Sequence, residues 1–168
     1  IRYIQERDVT SIVIGPGLTR DSQTTKLIHG IVKEAKVPMV LDADAINAKP
    51  LLTGDIFRCY TPHYRELARL VGVSPEESKV QGVALAERFV NENPGAALVL
   101  KGHQTKIFFG RDSWNNTTGN PGMAKGGSGD ALTGMIAAFL AQGLGPFEAA
   151  VWGVYFHGKA GDLAVKRT

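Results

Sequence analysis

Short apolar runs alternate with amphipathic stretches along this chain, and the alternation predicts its elements in order. Residues 9–14 are apolar and β-branched and end at Gly15-Pro16-Gly17, as a buried parallel strand would end. A helix is predicted over residues 23–35, capped by Asp21 or Ser22, with Leu27, Ile28, Ile31, Val32 and Ala35 spaced for one buried face. Residues 37–41 read as a second apolar strand. Strand, helix and strand joined by short links imply a right-handed crossover and a parallel sheet. A third strand is predicted around residues 56–60, and Leu67, Leu70 and Val71 mark an amphipathic helix ended near Gly72. Ser74-Pro75 opens a further helix to about Asn91, with Val80, Val83, Ala84, Ala86 and Val90 expected in the core. Residues 96–100 and 106–109 read as strands, the second ending at Gly110. Small and apolar residues on nearly every side of residues 131–142 predict a central buried helix, broken at Gly143-Leu144-Gly145-Pro146. A last helix is expected from Phe147 to about Val165, with Trp152 and His157 in the core or at an interface rather than as ligands.

Composition narrows the function. A chain of 168 residues suits one domain with a sizeable core. The net charge of +3 comes from scattered Lys and Arg with no basic run, which disfavours nucleic acid and suits small anions. Cys59 is the single cysteine, so an intrachain disulfide and a multi-cysteine metal site are both excluded. It is expected to be a buried structural thiol. No apolar stretch reaches membrane-spanning length and no signal peptide is visible, so a cytoplasmic protein without a membrane partner is expected. The chain begins with Ile1, and residues 1–8 read as the end of a helix feeding a strand, as if entering a domain already in progress.

The chemistry concentrates in residues 115–130. Gly126, Gly127 and Gly129 make the backbone bare enough for a phosphate to approach, and the helix that follows presents unpaired N–H groups and a positive dipole end. Asp130 falls in the first turn, where a carboxylate is favoured by the dipole yet repels phosphate. It is therefore expected to face a second group, such as a substrate hydroxyl whose proton it accepts as phosphate transfers. The alternative is a glycine turn with Ser128 and Asp130 capping a helix. A dinucleotide fingerprint is excluded because Leu132 stands where its third glycine or alanine belongs, and no Gly-Lys-Ser/Thr triplet makes a P-loop.

Other polar segments follow the predicted strands, where ligands of parallel sheets gather. Gly15-Pro16-Gly17 is a tight turn or a binding loop. Asp42 and Asp44 either cap and terminate or hold magnesium through waters. His63 stands at a strand-to-helix junction, and Lys101-Gly102-His103-Gln104-Thr105 is a polar hairpin turn or a nucleotide contact with Lys101 supplying charge.

Asn120-Pro121-Gly122-Met123-Ala124 followed by Gly126-Gly127-Ser128-Gly129-Asp130 resembles the signature of bacterial ADP-dependent NAD(P)H-hydrate dehydratases, members of the ribokinase-like superfamily and the C-terminal domain of bifunctional repair enzymes. The resemblance spans nearly all of the chain. It implies an α/β fold, three-layer α/β/α with a mostly parallel central sheet, in a single catalytic domain over residues 1–168 that lacks roughly its N-terminal third. It implies dehydration of NADH hydrate and NADPH hydrate with ADP as co-substrate and Mg2+, giving NAD(P)H, AMP and phosphate. Asp130 is then the catalytic base. Gly17, His63 and Asp130 face the hydrate, while Lys101, Gly102, His103, Gln104, Thr105 and Gly129 hold the nucleotide, His103 through its backbone. Gly127, Ser128 and Gly129 form the anion hole. Tyr64-Arg65 replaces the family's Pro-Gly after His63, and Glu66 keeps the place of an acid that related kinases use near magnesium. A homo-oligomer, with a tetramer as one form, and an epimerase fused or working alongside also follow from the resemblance. The rival within the superfamily is a kinase of vitamin-like or sugar alcohols, which Asp130 and the glycine loop serve equally well.

Overall fold

Side chains of a strand point alternately to the two faces of its sheet, and here that alternation divides the core in two. In the computed structural model, which describes residues 2–50 and 56–166, the order is α1 (Arg2–Glu6), β1 (Ile12–Ile14), α2 (Ser22–Glu34), β2 (Met39–Leu41), α3 (Ala43–Asn47), β3 (Arg58–Tyr60), α4 (Tyr64–Val71), α5 (Pro75–Glu92), β4 (Ala96–Leu100), β5 (Lys106–Phe109), β6 (Asp112–Asn115), α6 (Ser128–Ala141) and α7 (Pro146–Val165). Ile1, the start of the expected first helix, lies outside the described residues. Met39, Leu41, Tyr60, Leu98 and Leu100 enter one apolar cluster together with residues of α2, α4 and α5. Val40, Cys59, Ala97, Val99 and Ile107 enter the other, with residues of α6 and α7. The result is the expected three-layer α/β/α arrangement.

The strands lie in the order β1-β2-β3-β4-β5-β6, the first four parallel and the last two antiparallel. All four parallel strands therefore deliver their C-terminal ends to one edge, where the polar segments collect. Cys59, in the middle of β3, is fully enclosed in the second apolar cluster, and burial pushes its thiol up to about 12, so it stays protonated and inert. No helix of the described residues is long and apolar enough to cross a membrane.

Several details differ from the sequence expectation. β6 was not foreseen. Its residues Asp-Ser-Trp-Asn are largely exposed and lack the apolar alternation of a strand, yet they pair with β5 across the turn at Gly110, whose φ is +56°. β3 starts at Arg58 rather than at residue 56. Leu27 is 53% exposed, while Ile28 and Val32 form the buried face of α2. In α5, Val80 is 85% exposed and Val83 and Ala84 also lie outside, because the buried face runs through Ser78, Gly82, Leu85, Ala86 and Val90 at helical spacing; the backbone at Gln81 leaves helical geometry. Gly82 faces the core because the Tyr64 ring fills the space beside it: a Cβ there would stand 2.6 Å from Tyr64 Cε1.

The α6–α7 layer is not buried all round. Leu132, Thr133, Ile136, Ala137 and Leu140 face inward, but Ala131, Gly134 and Ala138 are exposed. Trp152 and Phe156 are also half-exposed and stack on each other, with Phe139 stacked on Phe156. Trp152 is thus no core residue in the isolated chain.

Candidate active site

The site is built on the N-terminus of α6. Gly127, the residue before the helix, has a φ of +81°, a left-handed conformation that lets the loop swing into the first turn. The first helical bond runs from Ala131 N–H to the Gly127 carbonyl at 3.1 Å. Helix geometry accordingly leaves the N–H groups of Gly129 and Asp130 without carbonyl partners. Of the residues expected to form an anion hole, Ser128 donates its N–H to the Lys125 carbonyl at 3.3 Å in the preceding turn.

An ion pair lies directly beside this helix end. Lys101 Nζ is 2.7 Å from Asp42 Oδ1 and 3.7 Å from Glu66 Oε2. A Cβ on Gly129 would sit 3.4 Å from the ammonium and 3.5 Å from Asp42 Oδ2, so the pair and the helix N-terminus are in contact. Asp42 precedes α3 but makes no side-chain cap, and Asp44 accepts from Arg20 and Asn47 instead; neither carboxylate does the capping that is one alternative in the sequence.

His63 is fixed by reciprocal bonds. Its Nδ1 accepts from Glu66 N–H at 3.2 Å while Glu66 Oε2 accepts from His63 N–H at 2.9 Å, a capping box that starts α4. The replacement of Pro-Gly by Tyr64-Arg65 therefore leaves this helix start intact. Tyr64 instead acquires a place at the site, its ring wedged between Gly82 and Gly102.

Between these groups and α7 opens a cavity of about 680 Å3. His63, all five residues 101–105, Ser128 and Gly129 border it, together with most of the loop from Asn116 to Lys125, including Asn120, Pro121 and Met123. Gly127 borders an adjoining cavity of about 600 Å3, and Asp130 and Gly17 border neither. Asp130 is exposed on the other side of the helix. It lies one turn above Thr133 and two above Ala137, on the stripe that meets β1, where the Ser11 hydroxyl donates to the Ala137 carbonyl at 2.9 Å. Gly15 closes the end of β1 with a φ of +126°, and a Cβ there would collide with the Asp42 carbonyl oxygen. His63 thus shares a cavity with the expected nucleotide segment, while Gly17 and Asp130 stand apart from it.

Helix α7 holds the loop, a role sequence reasoning missed. Asp162 accepts from Gly119 N–H at 2.9 Å and from Asn120 Nδ2 at 3.1 Å, and these bonds hold its carboxyl below the usual range. Gly158 and Gly161 leave room for Thr118 and Met123, which a Cβ at either position would strike. His157 Nε2 lies 3.3 Å from Ser128 Oγ, and burial depresses its pKa. The run His157-Gly158-Lys159-Ala160-Gly161-Asp162 contains the legible signal: polar groups and glycines at helical spacing in an otherwise apolar helix.

Magnesium is expected from the chemistry of phosphoryl transfer rather than from a ligand cluster of this chain. No group of three metal-ligating side chains occurs among the described residues, and the ammonium of Lys101 stands between the two acids that come nearest to one.

Residues 2–168 match the NAD(P)H-hydrate dehydratase family. The chain belongs to that family. It is 43% identical over 166 residues to the bifunctional NAD(P)H-hydrate repair enzyme Nnr of Moorella thermoacetica, covering 95% of this chain and 31% of that enzyme. Among solved structures it resembles the ADP/ATP-dependent NAD(P)H-hydrate dehydratase of Bacillus subtilis co-crystallized with ATP/Mg2+, at 34% identity and a TM-score of 0.85 over 95% of this chain and 58% of that one. A ribokinase-like superfamily protein from Enterococcus faecalis matches at 35% identity and a TM-score of 0.84, over 98% of this chain and 58% of that one. The fold is ribokinase-like, and the chain spans between about a third and three fifths of the length of these relatives. The resemblance first seen at Asn120–Ala124 thus extends along the whole dehydratase-like chain.

Proposed function

We propose that this chain is the catalytic domain of an ADP-dependent NAD(P)H-hydrate dehydratase, which restores NADH and NADPH from their hydrates. The observation that carries the proposal is the position of the α6 N-terminus, with the 680 Å3 cavity on one side and Asp130 on the other. A nucleotide held by Lys101 through Thr105 and Gly129 would present its terminal phosphoryl to the unpaired N–H groups. The ring hydroxyl of the hydrate would approach from the Gly17 and Asp130 side, with His63 at the boundary.

Water is a poor leaving group, so the hydrate hydroxyl attacks the β-phosphoryl of ADP and AMP departs. Asp130 takes the hydroxyl proton. The hydroxyl oxygen has become part of a phosphate, and the electron pair of the ring nitrogen expels it; loss of a proton from the adjacent ring carbon restores the double bond. Free N–H donors at Gly129 and Asp130 stabilise charge on the transferring group, a contribution of about 2.7–4 kcal/mol per donor in comparable oxyanion sites. Magnesium would arrive on the nucleotide phosphates. ADP rather than ATP is the donor by kinship with relatives named for it. The half-exposed Trp152–Phe156 patch suits a homo-oligomer, and the Nnr relative, named a bifunctional repair enzyme, suggests an epimerase fused or in attendance.

The test is recovery of the reduced-nicotinamide absorbance band when the full-length protein meets prepared NADH hydrate, magnesium and either ADP or ATP. Recovery with ADP is expected. A folded protein that binds ADP and restores nothing with either nucleotide would sink the proposal and direct attention to alcohol substrates.

A further inference from the structure

Asp42 and Glu66 are 2% and 7% exposed, and the proposed chemistry assigns neither a task. Left to themselves, two buried carboxylates at the edge of a phosphate site would repel each other and the incoming nucleotide. The Lys101 ammonium lies between them, 2.7 Å from Asp42 Oδ1 and 3.7 Å from Glu66 Oε2. Each partner is anchored from a different strand end. Asp42 follows β2, Lys101 follows β4 and takes its N–H to the Pro62 carbonyl at 2.8 Å, and Glu66 is locked by the capping box with His63. The Lys101 side chain is 20% exposed, on the cavity, and its charge sits against Gly129.

Paired acids at a phosphoryl-transfer site ordinarily invite a divalent cation. Here an ammonium occupies the place between them. We infer that Lys101 is a built-in cation that takes the role of a protein-bound metal beneath the α6 N-terminus, with Asp42 and Glu66 as its positioning residues. An ammonium has three donors; Asp42 takes one at 2.7 Å and Glu66 stands beyond hydrogen-bond reach at 3.7 Å, which leaves N–H groups for an oxygen of the phosphoryl group passing Gly129. The catalytic part of this inference rests on the phosphoryl transfer proposed above. The occupancy part does not.

The experiment is Mn2+ titration of the full-length, nucleotide-free protein, with thermal unfolding in parallel. Wild type and Asp42→Asn are expected to lack a Mn2+ site at these acids. Lys101→Ala is expected to gain one Mn2+ per chain, and Lys101→Ala/Asp42→Asn to lose it again. Because Lys101→Ala strips the counter-ion from a buried acid, its fold can weaken; stabilisation by Mn2+ that wild type does not share then reports the same site. Mn2+ uptake by wild type that Asp42→Asn abolishes overturns the inference, as does a well-folded Lys101→Ala that binds no Mn2+. On the kinetic side, Lys101→Ala should lower kcat about 100-fold at saturating ADP, in addition to any ADP affinity lost with this member of the nucleotide-holding segment. Loss of ADP affinity with kcat intact would make Lys101 a nucleotide anchor and overturn the catalytic role. If wild type restores no hydrate, the proposed function fails, and the Mn2+ arm still decides whether Lys101 fills the cation position.

Discussion

The two sides of the α6 N-terminus are built differently. On the cavity side, every element is held by a partner: Lys101 by Asp42, His63 by Glu66, and the Asn-Pro-Gly-Met loop by Asp162 and the glycines of α7. On the other side, Asp130 and Gly17 are exposed. Under the proposed function, the contrast makes nucleotide binding and proton abstraction separable: the first would depend on a braced cradle, the second on a single exposed carboxylate at a helix end. Changes on the two sides should therefore fail in different ways.

The largest effect is expected from Asp130→Asn. Turnover of NADH hydrate should fall by about 10²–10⁴-fold, with ADP affinity and thermal stability close to wild type, since the side chain is exposed and makes no bond that the fold needs. Equal loss of ADP affinity would erase the distinction between the two sides. Gly15→Ala should act oppositely, on stability first. The positive φ and the collision with the Asp42 carbonyl predict a loss of about 3 kcal/mol or more in denaturant unfolding. Unchanged stability would show that the end of β1 yields freely and does not brace Asp42.

The smallest effect concerns pH. Burial depresses the pKa of His157 below its value in the unfolded chain, so the unfolded state binds the proton more readily. Its contribution to stability is therefore fully present above about pH 6.5 and is lost as pH falls from there through the folded pKa. His157→Gln should remove that acid slope from the unfolding curve, leaving the behaviour above neutrality unchanged. A slope of the same size in the variant would assign it to carboxylates on the braced side instead.

Much of this molecule was legible in its sequence. The parallel strands were visible as apolar runs because buried strands need apolar side chains on both faces, and the α6 N-terminus was visible because only glycine tolerates the backbone required before it. Lys101 through Thr105 and the Asn-Pro-Gly-Met segment were singled out before any fold was known, and the former border one cavity with Asn120, Pro121 and Met123. What escaped were features defined by neighbours. Val80 carries the right residue type for a core, but the face of α5 that meets the core runs through Ser78, Gly82, Leu85 and Ala86, with Gly82 against the ring of Tyr64, and leaves Val80 outside. β6 is polar and earns its strand geometry from pairing with β5 alone. Asp162 stands 43 and 42 residues after the Gly119 and Asn120 that it holds, and although polar groups and glycines mark its stretch of α7, nothing local says which loop they meet.

Local chemistry and periodicity, then, were enough for most element types, the layered fold class and the glycine loop that opens α6, because each depends on residues close together in the chain. Tertiary structure alone decided that Lys101 sits between Asp42 and Glu66, that His63 shares the nucleotide-side cavity, and that Asp130 stands across the helix from it. Those relations join residues from separate strand ends, and a charge acts through distance in space, which the order of residues along the chain does not record.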